Sequence, residues 1–191
     1  MMAEINNQCE ISDTVMALSS IMRYSLSWVK QYVTLREELE NINNYVKLLN
    51  IRYDYRINLL VNIDNCFMEQ NILKMSLQPI VENSFTHGIE PGGEGGTIIL
   101  LAFLQGEVFI IEVSDDGAGI NNQELEEIRS HIAPENPHSI GITKGTGIGL
   151  RNVNERIKLF FGKQYGLEIY SEVGVGTRVL VKLPYRRITE G

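Results

Sequence analysis

The sequence has little that would staple or anchor it from outside. Its 191 residues hold two cysteines, Cys9 and Cys66, far apart and in no CxxC pattern. That excludes the familiar zinc and redox spacings and implies two free thiols in a reducing compartment. The longest apolar runs, 98–103 and 108–113, are far shorter than the ~20 residues a membrane helix needs. No leader of the secretory kind opens the chain. Basic residues are in the minority: the formal net charge is −7. An acidic chain repels phosphate backbones, which argues against nucleic acid and against charge-driven membrane binding. The one basic doublet, Arg186-Arg187, reads as a solvated tail. These residues are therefore expected in the cytoplasm, any membrane anchor lying on upstream segments of a longer parent. What is present, 43% hydrophobic and 21% charged, is ordinary for a soluble globular chain able to build its own core. The length fits one domain with an appendage, or two small ones.

The first part has helical periodicity. Ser12-Asp13 forms a candidate N-cap before Val15, Leu18, Met22, Leu26 and Val29. A second helix is expected from Thr34, where Glu37 three residues on completes a capping box. Its apolar positions, Leu35, Leu39, Ile42, Val46, Leu49 and Tyr53, step by four and three, a narrow seam of the coiled-coil kind. Two packings satisfy that seam: a helical hairpin paired with a copy of itself, or a helix packed on its own domain. Near Arg56 the period changes to two, predicting a strand through Ile57, Leu59, Val61 and Ile63. A helix follows, with Ser76 as N-cap and Pro79 in its first turn, ending at Pro91-Gly92-Gly93. Strands at 97–104 and 107–114 join tightly at Gln105-Gly106. A polar helix (122–130), a Pro- and Gly-rich stretch (134–149), a helix (148–160) and closing strands at 167–171 and 177–183 complete the chain. The order suggests an α+β fold, a two-layer α/β sandwich preceded by a helical hairpin, divided at 54/55. Regular βα alternation, which a doubly wound fold needs, is missing.

Three stretches carry chemistry. Asp115-Asp116-Gly117-Ala118-Gly119-Ile120 ends a hydrophobic strand in carboxylates and glycines. A carboxylate there can accept a hydrogen bond from the exocyclic amine of adenine, where guanine presents a carbonyl. A plain Asp-Gly turn accounts for the segment equally well. Gly145-Thr146-Gly147-Ile148-Gly149-Leu150 opens a helix, so free N–H groups and the positive helix end converge on a phosphate-sized spot. It is neither a Walker loop, since no GxxxxGK followed by Ser or Thr occurs, nor a Rossmann fingerprint. Taken alone, a flexible loop is the better account. Glu82-Asn83-Ser84-Phe85-Thr86-His87-Gly88 sets two polar residues beside apolar ones in a helix. Asn83 offers a neutral oxygen suited to Mg²⁺, and Glu82 could polarise a nucleophile. A solvated helix face is the bland account of such a pair.

In combination the three resemble the nucleotide site of the GHKL ATPases, and more closely that of sensor histidine kinases of the LytS or YesM type. Leu77 through Ile89 is similar to that family's Asn-containing box, Asp115 through Ile120 to its adenine box, and Gly145 through Arg156 to its phosphate box and following helix. Ser171 through Thr177 resembles its closing hairpin. Met22 through Leu26 and Leu35 through Leu39 are similar to its dimerisation helices, so the resemblance covers nearly the whole chain.

The resemblance implies a Bergerat-type fold binding ATP and Mg²⁺. Asp115 would read the adenine amine, Asn83 would hold Mg²⁺ and Glu82 would assist transfer. Gly117 and Gly119 would turn the chain around the base beside Ile120. Gly145, Thr146, Gly147, Gly149 and Leu150 would receive the phosphates, with Lys144 at the edge. His87 and Thr177 would line the nucleotide, and 134–144 would form a lid. A homodimer through the N-terminal helices and the receiver domain of a response regulator are the implied partners.

The family commonly has Lys where this chain has Thr86. That substitution is the one feature favouring an alternative, a non-catalytic nucleotide-binding module. The phosphoacceptor His also has no counterpart here: the three histidines are His87, His131 and His138. The family's pattern places the acceptor just before Met1. The sequence is thus expected to be a piece of a larger protein, binding ATP without completing autophosphorylation alone.

Overall fold

The computed structural model describes residues 2–26, 31–54, 56–132 and 146–185, with side chains from 11 and, in the last stretch, from 148. Val29, the 134–144 segment with His138 and Lys144, Gly145 and Arg186-Arg187 lie outside the described residues. Helix α1 runs unbroken over Met2–Leu26 and α2 over Leu35–Arg52. Ser12 and Asp13 therefore sit inside α1 and cap nothing, because a continuous ladder leaves no free N–H groups there. At α2 the expected capping box is present in full. Thr34 Oγ1 accepts the Glu37 N–H at 3.1 Å, and the Glu37 carboxylate accepts the Thr34 N–H at 2.9 Å.

The two helices pack on each other but bury different things. Leu35, Leu39, Ile42 and Val46 of α2 are buried in a single core that continues through Ile57, Leu77, Ile98 and Leu183. That core crosses residue 54 without a break. On α1, by contrast, Val15 (59% exposed), Leu18 (49%), Met22 (53%) and Leu26 (62%) face outward.

Beyond α2 lie strands β2 (Ile57–Asn62), β4 (Gly96–Gln105), β5 (Val108–Asp115), β6 (Gly166–Glu172) and β7 (Gly176–Pro184), and helices α3 (Gln78–Asn83), α4 (Asn122–Ile132) and α5 (Thr146–Phe161). The strands form one mixed sheet in the order β2-β4-β5-β7-β6, with β2–β4 parallel and the other pairs antiparallel. The register aligns Leu100, Val113, Val179 and Ile169 in one row, all buried under the helices. The row beside it, Leu101, Glu112, Leu180 and Glu168, points to the opposite, less covered face. This is the two-layer α+β sandwich the element order suggests. Gly106 and Glu107 close the β4–β5 hairpin, one residue later than expected, with Gly106 at φ 63°. A two-stranded antiparallel sheet, β1 (Tyr32–Thr34) with β3 (Asn71–Leu73), has no forewarning in the sequence pattern.

The N-terminus of α3 departs from expectation. Ser76 does not cap it: the N-cap is Leu77, with no side-chain bond, and the buried Ser76 hydroxyl has no partner among the described residues. Glu38 of α2 does the work instead. Its carboxylate accepts the N–H groups of Met75 (2.9 Å), Leu77 (3.1 Å) and Gln78 (3.4 Å). Two anionic oxygens satisfy several orphan donors at once and complement the positive helix end. After Asn83 the helix widens into a π turn over Ser84–Ile89, a local form frequent at functional sites.

Candidate functional site

A recess opens between α3 with its π turn, the end of β5, and the first turns of α5. Asp115 lies in it, 8% exposed. Asn83, His87, Ile120, Leu150 and Thr177 line it too, so six of the residues singled out in the sequence come together. Ile80, Ile128, Ile169 and Val179 complete apolar walls suited to a flat ring. Asp115 Oδ1 accepts the N–H of Gly117 at 3.1 Å and of Thr177 at 3.2 Å, and the Ser84 hydroxyl donates to the same carboxylate. A carboxylate has about four acceptor sites, so capacity for one further donor remains. Burial pushes the Asp115 carboxyl above its ordinary range, while these three hydrogen bonds pull it back.

The glycines around Asp115 are fixed by the chain's own packing. A Cβ on Gly117 would lie 2.3 Å from the Gly88 carbonyl carbon, and one on Gly88 would lie 2.7 Å from Asp115 Oδ1. Gly119 has φ +69°, and its Cβ would meet the Glu172 carbonyl oxygen at 2.0 Å. These approaches let three loops interlock: Ala118 N–H donates to Gly88 O at 2.9 Å, and Gly174 N–H donates to Ala118 O at 2.8 Å. Ser171 adds a side-chain tie, its Oγ accepting the Ile120 N–H at 2.9 Å and contacting Thr177 Oγ1 at 2.8 Å. Gly149 is different. Its nearest neighbours would be Asn83 Nδ2 at 3.8 Å and Pro79 at 3.9 Å, ordinary contact distances. Among the described residues, packing demands no glycine there.

Not every expected residue joins the recess. Glu82 is half-buried on α3 beside Asn83 but outside the lining, and the Gln78 amide donates to it at 2.7 Å. Thr146 and Gly147 begin α5 instead of standing in a loop before it. Thr86, which replaces the usual Lys, is exposed. His131 Nδ1 donates to the Glu127 carbonyl at 2.6 Å. Cys66 is an exposed free thiol. Among the described residues no group of three or more His, Cys, Asp or Glu could hold a metal, and no helix is long and apolar enough to cross a membrane. Asn83, half-buried and lining the recess, offers one neutral side-chain oxygen of the kind a hard cation takes.

Some participants escape sequence reading. Ser84 follows Asn83 directly, and its position in the motif was the available signal. Glu38, Asn41 and Gln78 gave none, because their importance lies in partners 37 to 40 residues away.

This fold, with a buried carboxylate at the strand end in a recess lined by α3 and α5, defines a class. The chain belongs to the histidine kinase-, DNA gyrase B- and HSP90-like ATPases, whose family model matches residues 69–187. A histidine kinase model matches residues 1–57. The chain is 33% identical over 185 residues to the sensor histidine kinase YesM of Bacillus subtilis, covering 97% of this chain and 30% of that one. It is 31% identical over 173 residues to the sensor protein kinase HptS of Staphylococcus aureus, covering 91% and 32%. The chain thus spans about a third of the length of such relatives. Among solved structures, the catalytic domain of histidine kinase ThkA superposes with a TM-score of 0.57 at 19% identity, over 80% of this chain and 93% of that one. The histidine kinase domain of a blue-light activated kinase from Erythrobacter litoralis gives 0.55 at 15%, over 92% and 74%. At such identities these structures bear on the fold alone.

Proposed function

We propose that this chain is the ATP-binding, phosphoryl-transferring region of a two-component sensor histidine kinase. The observation that carries this reading is the buried Asp115 carboxylate, with acceptor capacity to spare, in an apolar recess shared with Asn83, Leu150 and Thr177. Asp115 accepts a hydrogen bond from the adenine amine, and guanine is disfavoured because a carbonyl would face the carboxylate. Ile120 and the apolar walls sandwich the base, with His87 at its edge. The first turn of α5 presents Thr146, Gly147 and Gly149 to the phosphates, the chain from Lys144 and Gly145 leading into it. Asn83 would hold Mg²⁺, which supplies neutralisation of phosphate charge.

Glu82 sits beside Asn83 and accepts a hydrogen bond from one N–H of an acceptor imidazole. The other imidazole nitrogen bonds to the γ-phosphorus as its bond to the bridging oxygen breaks and ADP leaves. The phosphoryl group then passes to an Asp carboxylate in the receiver domain of a response regulator. The acceptor His and a membrane anchor belong to upstream segments of the parent, and the exposed face of α1 pairs with a second copy. The division at 54/55 separates roles, dimerisation before it and catalysis after it, although α2 packs into the common core. Nothing favours the non-catalytic module beyond Thr86. Incubation with Mg-ATP and a fragment bearing the acceptor helix should yield acid-labile phosphohistidine. ATP binding with no such product would overturn the kinase reading.

A further inference from the structure

The turn 74–77, together with Gln78 at the start of α3, is held from three sides. From α2, Glu38 accepts the N–H groups of Met75, Leu77 and Gln78, as described above. From α5, Arg156 donates to the carbonyls of Lys74 (2.8 Å) and Met75 (3.4 Å). From α1, the Tyr24 hydroxyl donates to Glu38 itself, and the Lys74 ammonium lies 4.8 Å from the centre of the Tyr24 ring. Glu38 is fully buried, so its contacts are specific and not solvent-averaged. Burial and the adjacent carboxylate push the Tyr24 phenol well above its ordinary range, so it remains a donor throughout the physiological range.

The turn does not rest in a relaxed form. Met75 has φ 58°, a left-handed conformation unfavourable for a side-chain-bearing residue. Such strain persists only where surrounding contacts over-determine the backbone. A second line runs from α2 to Glu82, the residue before Asn83: Asn41 donates to Gln78, and Gln78 donates to Glu82 at 2.7 Å. Tyr45 of α2 is also near, its phenol pushed up to about 12 by burial and then by the Glu82 and Glu90 carboxylates.

We infer that Glu38 is a positioning residue that sets the placement of Glu82 and Asn83, and that the Tyr24–Glu38 hydrogen bond makes this placement depend on where α1 sits. A shift of α1 along α2 removes the Tyr24 donor from Glu38 and loosens the N-terminal anchor of α3. The helix carrying Asn83 then drifts relative to α5, whose Arg156 still holds the other side of the turn. This inference rests on the reading of Asn83 as the Mg²⁺-binding residue.

The test uses the whole chain. Mg-ATP and metal-free ATP affinities are measured by calorimetry for Tyr24→Phe, Glu38→Gln and the double variant, with amide hydrogen exchange of residues 75–83. Asn83→Ala serves as control for the underlying reading. Tyr24→Phe should accelerate exchange of the Met75, Leu77 and Gln78 amides about tenfold and weaken Mg-ATP binding two- to threefold. Glu38→Gln should weaken Mg-ATP binding five- to tenfold, leaving metal-free ATP nearly unchanged, and the double variant should match Glu38→Gln. Additive effects, or a Tyr24→Phe exchange change confined to α1, would overturn the coupling. If Glu38→Gln does not fold, Tyr24→Phe alone decides through its exchange pattern. Should Asn83→Ala leave the Mg²⁺ dependence intact, the reading of Asn83 fails, and the exchange arm still judges the link from α1 to α3.

Discussion

Helices α1 and α2 are neighbours in one hairpin, and both carry apolar residues at steps of four and three. Their fates are opposite. The α2 seam disappears into the core, with Leu35 and Ile42 at 0% exposure, while Val15, Leu18 and Met22 of α1 stay at the surface. Periodicity identifies an apolar stripe but not its partner. α2 finds its partner in cis because β2 and α3 present a matching surface, and α1 is left facing whatever comes from outside. The hairpin is therefore two components, one belonging to the nucleotide domain and one applied to it.

The sharpest way to break this contrast is Ile42→Ala. It should destabilise the domain by about 2–5 kcal/mol in urea denaturation, from lost burial plus the cavity left. Asp115→Asn should leave both helices untouched and weaken ATP binding 10- to 100-fold, as expected for a charged hydrogen bond worth ~1.5–3 kcal/mol. Its effect on folding has the other sign. The Asp115 carboxyl is raised in the folded state, so its contribution to stability is most favourable below the unfolded value near ~3.9 and falls as pH rises through the folded one. The Asn variant should therefore be as stable as the parent at neutral pH, or more so. A lower melting temperature at pH 7 would contradict that. Thr34→Ala, which removes the α2 cap, should cost about 1 kcal/mol without altering ATP affinity. Smallest for folding is Val15→Asp with Leu18→Asp, which should change stability by no more than ~0.5 kcal/mol. The same pair should abolish any dimer seen by light scattering.

What the sequence made legible was local. The Thr34–Glu37 box, the hairpin at Gly106, the strand alternation in β2 and the glycine-rich opening of α5 are decided by residues within a turn of one another. What it concealed was long-range. Ser76 looks like the cap of α3, yet a carboxylate from another helix occupies that role, and Ser12-Asp13 looks like a helix start within an uninterrupted helix. The three-residue pairing of β1 with β3 is too short to leave a period. In the site, Asp115 and Asn83 were visible as motif members, whereas Ser84 against Asp115 and Gln78 against Glu82 depend on how the π turn and α3 are rotated. Gly117 and Gly119 were noticed for a ligand's sake, yet the chain requires them for its own closure.

That closure bears on how the site would respond to a drug. A compound placing a donor against Asp115 would be gripped by surroundings with few permissible replacements. A side chain at Gly88 meets the carboxylate, one at Gly117 meets the Gly88 backbone, and one at Gly176, with φ +127°, falls 1.9 Å from the Asp115 carbonyl oxygen. Resistance by substitution at these positions would dismantle the loops that hold Asp115 in place. Escape is open instead along walls made of exchangeable side chains, such as Ile120 and Leu150. A compound anchored on Asp115 and sparing of those walls would leave the fewest routes to resistance.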